Sequence, residues 1–97
     1  MKIEFHPDAK SELAEIGEYY FAINPDLGRS FREEFDECLS QIAANPLRFE
    51  HVGRNLRRCL MHRFPYGIFF RMPDEQTVRI IIVRHHSRRS GLGMRRQ

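Results

Sequence analysis

Three prolines, Pro7, Pro25 and Pro46, divide the first half of the chain and limit what it can fold into. Proline is tolerated in the first turn of a helix, where its missing N–H would have no partner, but it disfavours helical geometry in the residue before it. Two helices are therefore predicted. One begins at Pro7, and the other begins after the capping residue Asn24 and ends by Asn45.

Apolar residues recur at helical spacing in both of these segments, with charged residues on the other faces. The first stripe comprises Ala9, Leu13, Ile16, Tyr20 and Ile23, and the second comprises Leu27, Phe31, Phe35, Cys38, Leu39 and Ile42. Because the link between the two helices is so short, they are expected to form an antiparallel helical hairpin.

Strand patterns flank the helices. Residues 1–5 alternate apolar and charged side chains, as a half-buried strand does, and residues 47–55 are predicted to be a connecting loop. Three strand-like runs follow, at residues 56–63, 66–72 and 77–84. The prolines in the breaks at residues 64–67 and 72–76 favour turns.

The predicted fold is α+β, with an N-terminal strand, a two-helix antiparallel hairpin and a three-stranded antiparallel meander that form one sheet, followed by a basic C-terminal tail. The last strand is apolar on both faces apart from Arg79, which predicts a position inside the sheet. We expect one domain over residues 1–97, in which residues 90–97 form a flexible tail.

Several classes of protein are excluded by composition. No apolar stretch approaches the roughly 20 residues that cross a bilayer, and no signal peptide follows Met1, so a cytoplasmic location is predicted. Cys38 and Cys59 match no metal-ligand spacing and are expected to be buried and reduced. Neither a metal nor a cofactor is predicted.

Charge is distributed very unevenly along the chain. Residues 1–50 carry 5 Lys or Arg and 11 Asp or Glu, a net charge of −6, whereas residues 51–97 carry 11 Arg, no Lys and only 2 acids, a net charge of +9. The planar guanidinium presents a fork of donors that suits phosphate and carboxylate groups. An anionic partner is therefore predicted, either nucleic acid or an acidic protein segment.

Four stretches of the chain carry a resemblance to a known family. They are HPDAKSELAEIGEYY, the segment from Phe31 to Pro46, LRRCLMHRFPYGIFFRM and VRIIIVRHHSRR. In this order they resemble the RelE/ParE superfamily of toxins from bacterial type II toxin–antitoxin systems, which includes plasmid stabilisation proteins. The combination of FPYGIFF with VRHHSRR is the most specific part.

This resemblance implies a toxin whose growth inhibition is neutralised by a cognate antitoxin with an acidic, disordered toxin-binding segment. It also implies two possible targets. RelE-like members cleave messenger RNA in the ribosome, whereas ParE-like members inhibit DNA gyrase and break no bond. RelE-like nucleases use lysines, arginines and a tyrosine, but here no Lys follows Lys10, no Tyr follows Tyr66, and Gly67 stands where those nucleases have an arginine. The ParE-like branch is therefore favoured.

Candidate site residues cluster in the basic half. Target or nucleic-acid binding is predicted for Arg58, Arg63, Arg84, Arg88 and Arg89. If the chain is RelE-like, His85 or His86 would be catalytic, and only one of them is expected to face the site because neighbours on a strand point to opposite sides.

Two less specific interpretations remain open for these residues. Arginines of the second predicted strand could instead pair with Glu33, Glu34 or Glu37 of the second helix. A non-toxic basic module that binds RNA through arginine–phosphate contacts is the alternative to both toxin functions.

Overall fold

A computed structural model describes residues 1–86, 96 and 97 of the chain. Strands and helices follow one another in the order β1 (Lys2–Phe5), α1 (Pro7–Ile23), α2 (Pro25–Ala44), a 3₁₀ turn (Pro46–Arg48), β2 (Glu50–Gly53), β3 (Leu56–Leu60), β4 (Tyr66–Asp74) and β5 (Thr77–His85). The predicted α+β fold with an N-terminal strand and two helices is thus confirmed.

Each helix begins where its proline predicts, and each has a side-chain cap. The Nδ1 atom of His6 accepts a hydrogen bond from the main-chain N–H of Asp8 at 3.0 Å, and Oδ1 of Asn24 accepts one from Asp26 at 2.8 Å. Asn24 also ends α1, because its own N–H donates to the carbonyl of Tyr20. One residue therefore closes the first helix and opens the second, which forces a tight hairpin.

All the strands lie in a single sheet with the order β1-β5-β4-β3-β2. β1 is parallel to β5, and the other pairings are antiparallel. β5 has a strand on each side, which confirms the interior position predicted from its apolar sequence. The parallel neighbours β1 and β5 are far apart in the chain, because both helices and the strands β2, β3 and β4 lie between them.

Among the described residues the sheet has five strands, more than the predicted N-terminal strand and three-stranded meander. Residues 47–55 were expected to be a loop, but Glu50–Gly53 pairs with β3 as an edge strand. The two strands are joined at Arg54 and Asn55, whose φ angles of 49° and 59° match a two-residue hairpin turn. An exposed edge strand with a single apolar residue, Val52, shows no clear alternation, which is why its pattern is weak.

β3 ends at Leu60, three residues before the predicted boundary. The chain then turns through residues 61–65, and the carboxylate of Glu34 on α2 accepts hydrogen bonds from the N–H groups of His62 at 2.5 Å and Arg63 at 3.2 Å. This buried carboxylate ends the strand by taking donors that would otherwise continue the ladder. Tyr66 and Gly67, which the sequence assigned both to the break and to the start of the next strand, lie in β4.

Side chains pack on both faces of the sheet. The larger cluster lies between the sheet and the helices and includes Phe31, Phe35, Ile42, Ile68, Phe70 and Ile80. A smaller one, formed by Leu56, Phe69, Ile81 and Ile82, covers the opposite face, which we call the outer face. A bulge in β5 between its pairings with Phe69 and Phe70 directs both Ile81 and Ile82 to this second cluster. Cys38 and Cys59 are buried free thiols, as expected.

Among the described residues, no helix combines the length and the apolar character that a membrane-spanning segment needs. Most of the predicted flexible tail, residues 90–97, falls outside the described part of the chain. Its last two residues are described, and both contact the sheet through hydrogen bonds to Arg71 and Arg79.

Candidate functional site

Two neighbouring rows of cross-strand residues meet on the outer face of the sheet. In one row Arg58 of β3 lies opposite Phe69 of β4, and in the next Gly67 lies between Leu60 and Arg84. Because side chains alternate along each strand, both rows project to the same face. These rows line a cleft of about 310 Å³, which we call the outer cleft. Its described lining residues are Arg58, Leu60, Gly67, Phe69, Arg84, His85 and His86.

Gly67 forms part of the floor of the outer cleft. A Cβ atom at this position would lie 3.2 Å from Cε1 of Phe69 and 3.4 Å from Cδ2 of Leu60, so these two side chains already close over the glycine. A larger residue here would push them apart or fill the cleft. The cleft therefore depends on the residue type that distinguishes this chain from the RelE-like pattern.

Arg84 projects over the apolar floor. Its guanidinium carbon lies 4.7 Å from the centroid of the Phe69 ring, within the range of a cation–π contact. Burial lowers the pKa of the Arg84 guanidinium from its ordinary value, and the charges of Arg96 and Arg58 act in the same direction, whereas Glu12 opposes them. Arginine remains protonated in spite of such a shift, so Arg84 brings a partly desolvated positive charge to the cleft.

Arg58 contributes the second cation. Its Nη2 atom donates to Oε2 of Glu50 on β2 at 2.6 Å, and this ion pair orients the side chain along the rim of the cleft. Its Nε–H is buried and has no acceptor among the described residues. A buried donor without an acceptor is costly, so an oxygen-bearing ligand that reaches this N–H would gain a hydrogen bond at little desolvation cost.

Both histidines are among the residues that line the cleft, and at most one of their side chains was expected to face it. His85 is the last residue of β5, and its ring packs edge-on against Tyr66 with 5.4 Å between the centroids. His86 has already left the strand, and its N–H donates to the carbonyl of Pro65 at 2.9 Å. Arg84 and His85 are neighbours within β5, so their side chains point to opposite faces of the sheet. That at most one histidine faces the site stays a prediction.

The other predicted arginines are placed differently. Arg63 lies in the turn after β3, where its Nε is 3.3 Å from Oε1 of Glu34, as the ion-pair interpretation anticipated for this helix. Its side chain is 64% exposed, so this pair contributes little to stability. Arg88 and Arg89 lie outside the described residues.

The apolar part of the cleft and the partner of Arg58 were not predicted from the sequence. Phe69 and Leu60 were assigned only to strands, and Glu50 was placed in a loop. A signal was present in the alternation of β4, which puts Gly67 and Phe69 on the same face. It could not be used without the register between β3 and β4, which places Arg58 beside them.

The chemistry available in the cleft is that of an anion-binding site with an apolar floor. Two arginines and two histidines are among its lining residues, and a cavity of this size is at the lower end of the range for small-ligand sites. The hydroxyl of Tyr66 does not contribute, because that side chain is buried in the cluster between sheet and helices. Within the described part of the chain, no group of three or more His, Cys, Asp or Glu is arranged to hold a metal ion.

The chain is similar to proteins that share this fold. A chain in the solved structure of a chromosomal ParDE TA system from P. aeruginosa matches with a TM-score of 0.74 and 16% sequence identity, over 88% of this chain and 95% of that one. At this identity the likeness shows the fold alone. None of the curated proteins is similar enough to count as a match.

A family model gives the more specific result. It describes the ParE toxin of the type II toxin-antitoxin system, parDE, and it matches residues 3–90. This range includes both helices, all of β1 except Lys2, β2 to β5 and the described lining of the outer cleft. The resemblance to the RelE/ParE superfamily is confirmed, and so is the preference for its ParE-like branch. The chain belongs to the ParE toxin family of type II toxin–antitoxin systems.

Proposed function

We propose that this toxin inhibits DNA gyrase in the cytoplasm by binding to it, without breaking a bond, and that the outer cleft forms part of the contact surface. The observation that supports this most is the position of Gly67 in the floor of the cleft. Cleavage of RNA needs an acid, a base and a cation that act together on one phosphate. With glycine at position 67 and Tyr66 directed into the core, the cleft has binding groups but lacks the usual set of a RelE-like nuclease.

The surface suits a protein target that presents acidic groups. Arg84 and Arg58 offer planar donors beside an apolar floor, which is the combination found in the centre of tight protein interfaces. Removal of one guanidinium weakens such a contact, because the acidic group of the target that it bound is left buried without a counter-charge. We expect Arg84→Gln to weaken gyrase inhibition by about tenfold or more.

Neutralisation by a cognate antitoxin forms the second part of the proposal. The helices carry most of the acidic residues, whereas the second half of the chain, with a net charge of +9, supplies four of the five strands. An acidic segment that is disordered when free would fold across the sheet and cover the cleft. The antitoxin and gyrase would then compete for overlapping surfaces.

The experiment compares growth, supercoiling and transcripts after expression of the chain with and without its antitoxin. We expect growth to stop without the antitoxin, cellular plasmids to lose negative supercoils, and transcripts to stay intact. Arg84→Gln should restore growth, whereas Arg32→Gln, which removes a positive charge from the exposed face of α2, should remain toxic. Unimpaired growth with the wild-type chain would favour the non-toxic RNA-binding module.

A ribosome-dependent endoribonuclease is the second candidate, because both histidines line the cleft beside Arg84. In this case His85 or His86 would act as the acid or base, and its replacement by alanine would abolish cleavage. Transcript cleavage that disappears in one of these variants would establish the nuclease. Toxicity retained by both His85→Ala and His86→Ala would exclude the histidine mechanism.

A further inference from the structure

A second group of arginines lies on the outer face, in the part of the sheet next to β1. Arg71 of β4 and Arg79 of β5 are directly opposite each other in the strand register. Like charges in this arrangement repel one another unless an electron-rich group lies against them. We call these two residues the arginine pair.

The acceptors now bound to the arginine pair are main-chain oxygens of the chain itself. Nη2 of Arg71 donates to the carbonyl oxygen of Arg96 at 2.9 Å, and Nε of Arg79 donates to the main-chain oxygen of Gln97, also at 2.9 Å. Two consecutive residues thus contact two neighbouring strands. The two guanidinium groups are therefore spaced so that they can bind the main-chain oxygens of successive residues of a peptide.

These acceptors satisfy the pair only in part. Arg79 has a carboxylate partner in Glu4 at 3.3 Å, but Arg71 forms no ion pair with any described residue. The Nε–H of Arg71 is also buried without an acceptor in the described part of the chain. A carboxylate adds an opposite charge that a neutral carbonyl lacks, and it frequently accepts two parallel hydrogen bonds from the guanidinium fork. A carboxylate would therefore bind Arg71 better than the present carbonyl does.

The segment is held in place by the side chain of Arg96. Its Nη1 and Nη2 atoms form a two-point ion pair with Glu12 of α1 at 2.8 Å and 3.0 Å, and Nη1 also donates to the carbonyl of Ile81 at 3.2 Å. Asp8 lies 3.6 Å from Nε. We call this set of contacts the clasp. It fastens residues 96 and 97 to the edge of β5 beyond the end of β1.

We infer that the arginine pair is a carboxylate-binding site for an extended peptide segment rich in Asp and Glu, and that Arg96–Gln97 occupies it while the clasp is closed. This inference rests on the proposed neutralisation by an acidic antitoxin segment and specifies where part of that segment binds. An acidic peptide is favoured over nucleic acid because the present occupant is itself a peptide and each arginine takes an oxygen from successive residues. Such a ligand binds only to molecules in which the clasp is open, so its apparent affinity is the intrinsic affinity multiplied by the open fraction.

The test uses the full chain and two labelled probes of equal formal charge in fluorescence anisotropy titrations. They are an octa-glutamate peptide with blocked ends and a nine-nucleotide oligothymidylate without terminal phosphates, each with eight negative charges. Glu12→Gln weakens the clasp but keeps an oxygen that accepts from the Val83 N–H, a hydrogen bond that Glu12 makes at 3.1 Å. We expect this variant to bind octa-glutamate about tenfold more tightly than the wild type. Adding Arg71→Gln to Glu12→Gln should abolish the gain.

Arg32→Gln serves as the matched control for lost charge, because Arg32 lies on α2 and pairs with Asp36. It should leave octa-glutamate binding within twofold of the wild type. Equal octa-glutamate affinity in the wild type, Glu12→Gln and the Arg71→Gln double variant would overturn the inference. A gain seen only with oligothymidylate would overturn the assignment to carboxylates and favour a nucleic-acid ligand.

Thermal unfolding of each variant distinguishes lost binding from lost folding. If the antitoxin proposal fails, the native antitoxin will not compete with octa-glutamate even though the variants respond as predicted. The carboxylate site and the identity of its natural ligand are thus tested separately.

Discussion

The guanidinium of Arg84 lies over the ring of Phe69, 4.7 Å from its centroid, and this contact fixes a positive charge above the apolar floor of the outer cleft. Arg84→Lys should keep the charge but lose the flat stacking surface and the two-point fork. Because a cation–π contact is worth about 0.5–2 kcal/mol, we expect gyrase inhibition to weaken roughly 2- to 30-fold.

Arg48 provides a matched control for this substitution. Its guanidinium lies 4.9 Å from the centroid of the Phe49 ring, in the 3₁₀ turn rather than in the cleft. Arg48→Lys should therefore leave inhibition within twofold of the wild type. Equal losses in the two lysine variants would mean that the effect of Arg84→Lys does not come from the cleft.

Substitutions of Gly67 should separate stability from binding. Gly67→Ala adds a Cβ atom that meets Phe69 at 3.2 Å, a contact that requires a shift of a few tenths of an ångström, but it also removes the flexibility of a glycine within a strand. We expect the free energy of unfolding, measured by urea titration, to change by less than about 1 kcal/mol.

Gly67→Val should reduce gyrase inhibition more strongly than Gly67→Ala does, because the larger side chain fills the cleft. A valine variant that is folded and fully inhibitory would exclude the cleft from the contact surface.

The helices were predictable from the sequence because their signals are local. Pro7, Asn24 and Pro46 set the helix ends through backbone geometry and a side-chain cap, and none of these effects depends on the rest of the fold. The interior position of β5 was also predictable. A strand with apolar side chains on both faces needs both faces buried, which is typical of strands inside a sheet.

The outer cleft could be predicted only in part. Arg84, His85 and His86 are consecutive, so they were found together, but Arg58, Phe69 and Gly67 come together through the register between strands. The edge strand β2 was missed because pairing with β3 defines it, rather than an apolar pattern of its own. The contacts of Arg96 with Glu12 join residues at opposite ends of the chain, and no local pattern indicates them.

Glu34 should be important for stability. Its buried carboxylate accepts the main-chain N–H groups of His62 and Arg63, so Glu34→Ala would leave both donors without a partner. We expect a loss of about 1–3 kcal/mol in the free energy of unfolding, seen as a lower midpoint in urea.

The neighbouring Glu33 is exposed, and Glu33→Ala should change stability by less than about 0.5 kcal/mol. Arg63→Gln should also have a small effect, because the exposed side chain of Arg63 adds little to the main-chain contacts. If Arg63→Gln were as harmful as Glu34→Ala, the side-chain ion pair rather than the main-chain hydrogen bonds would hold the turn.

Tyr20 should make stability depend on pH in the alkaline range. Burial, together with a hydrogen bond to Tyr66, raises the pKa of the Tyr20 hydroxyl from 10.0 to about 12. The folded chain therefore keeps this proton at pH values where the unfolded chain has lost it. The contribution to stability is fully present below pH 10 and is lost as the pH rises from 10 to about 12.

Urea titrations at several pH values between 9 and about 12 check this prediction, with Tyr20→Phe as the comparison. The variant keeps the ring, which lies 5.0 Å from Phe64 and 5.5 Å from Phe31 between centroids, but it has no proton to lose. Its stability should fall less steeply with pH than that of the wild type. Identical slopes for the two proteins would show that Tyr20 is not responsible.

The central claim is that this ParE-family toxin acts by binding gyrase through the outer cleft. The most direct measurement is DNA supercoiling by purified gyrase, titrated with the wild-type chain, with the double variant Arg58→Gln/Arg84→Gln and with Arg32→Gln. We predict inhibition by the wild type and by Arg32→Gln, and at least about tenfold weaker inhibition by the double variant. Undiminished supercoiling in the presence of a wild-type chain that stops growth in cells would contradict the account.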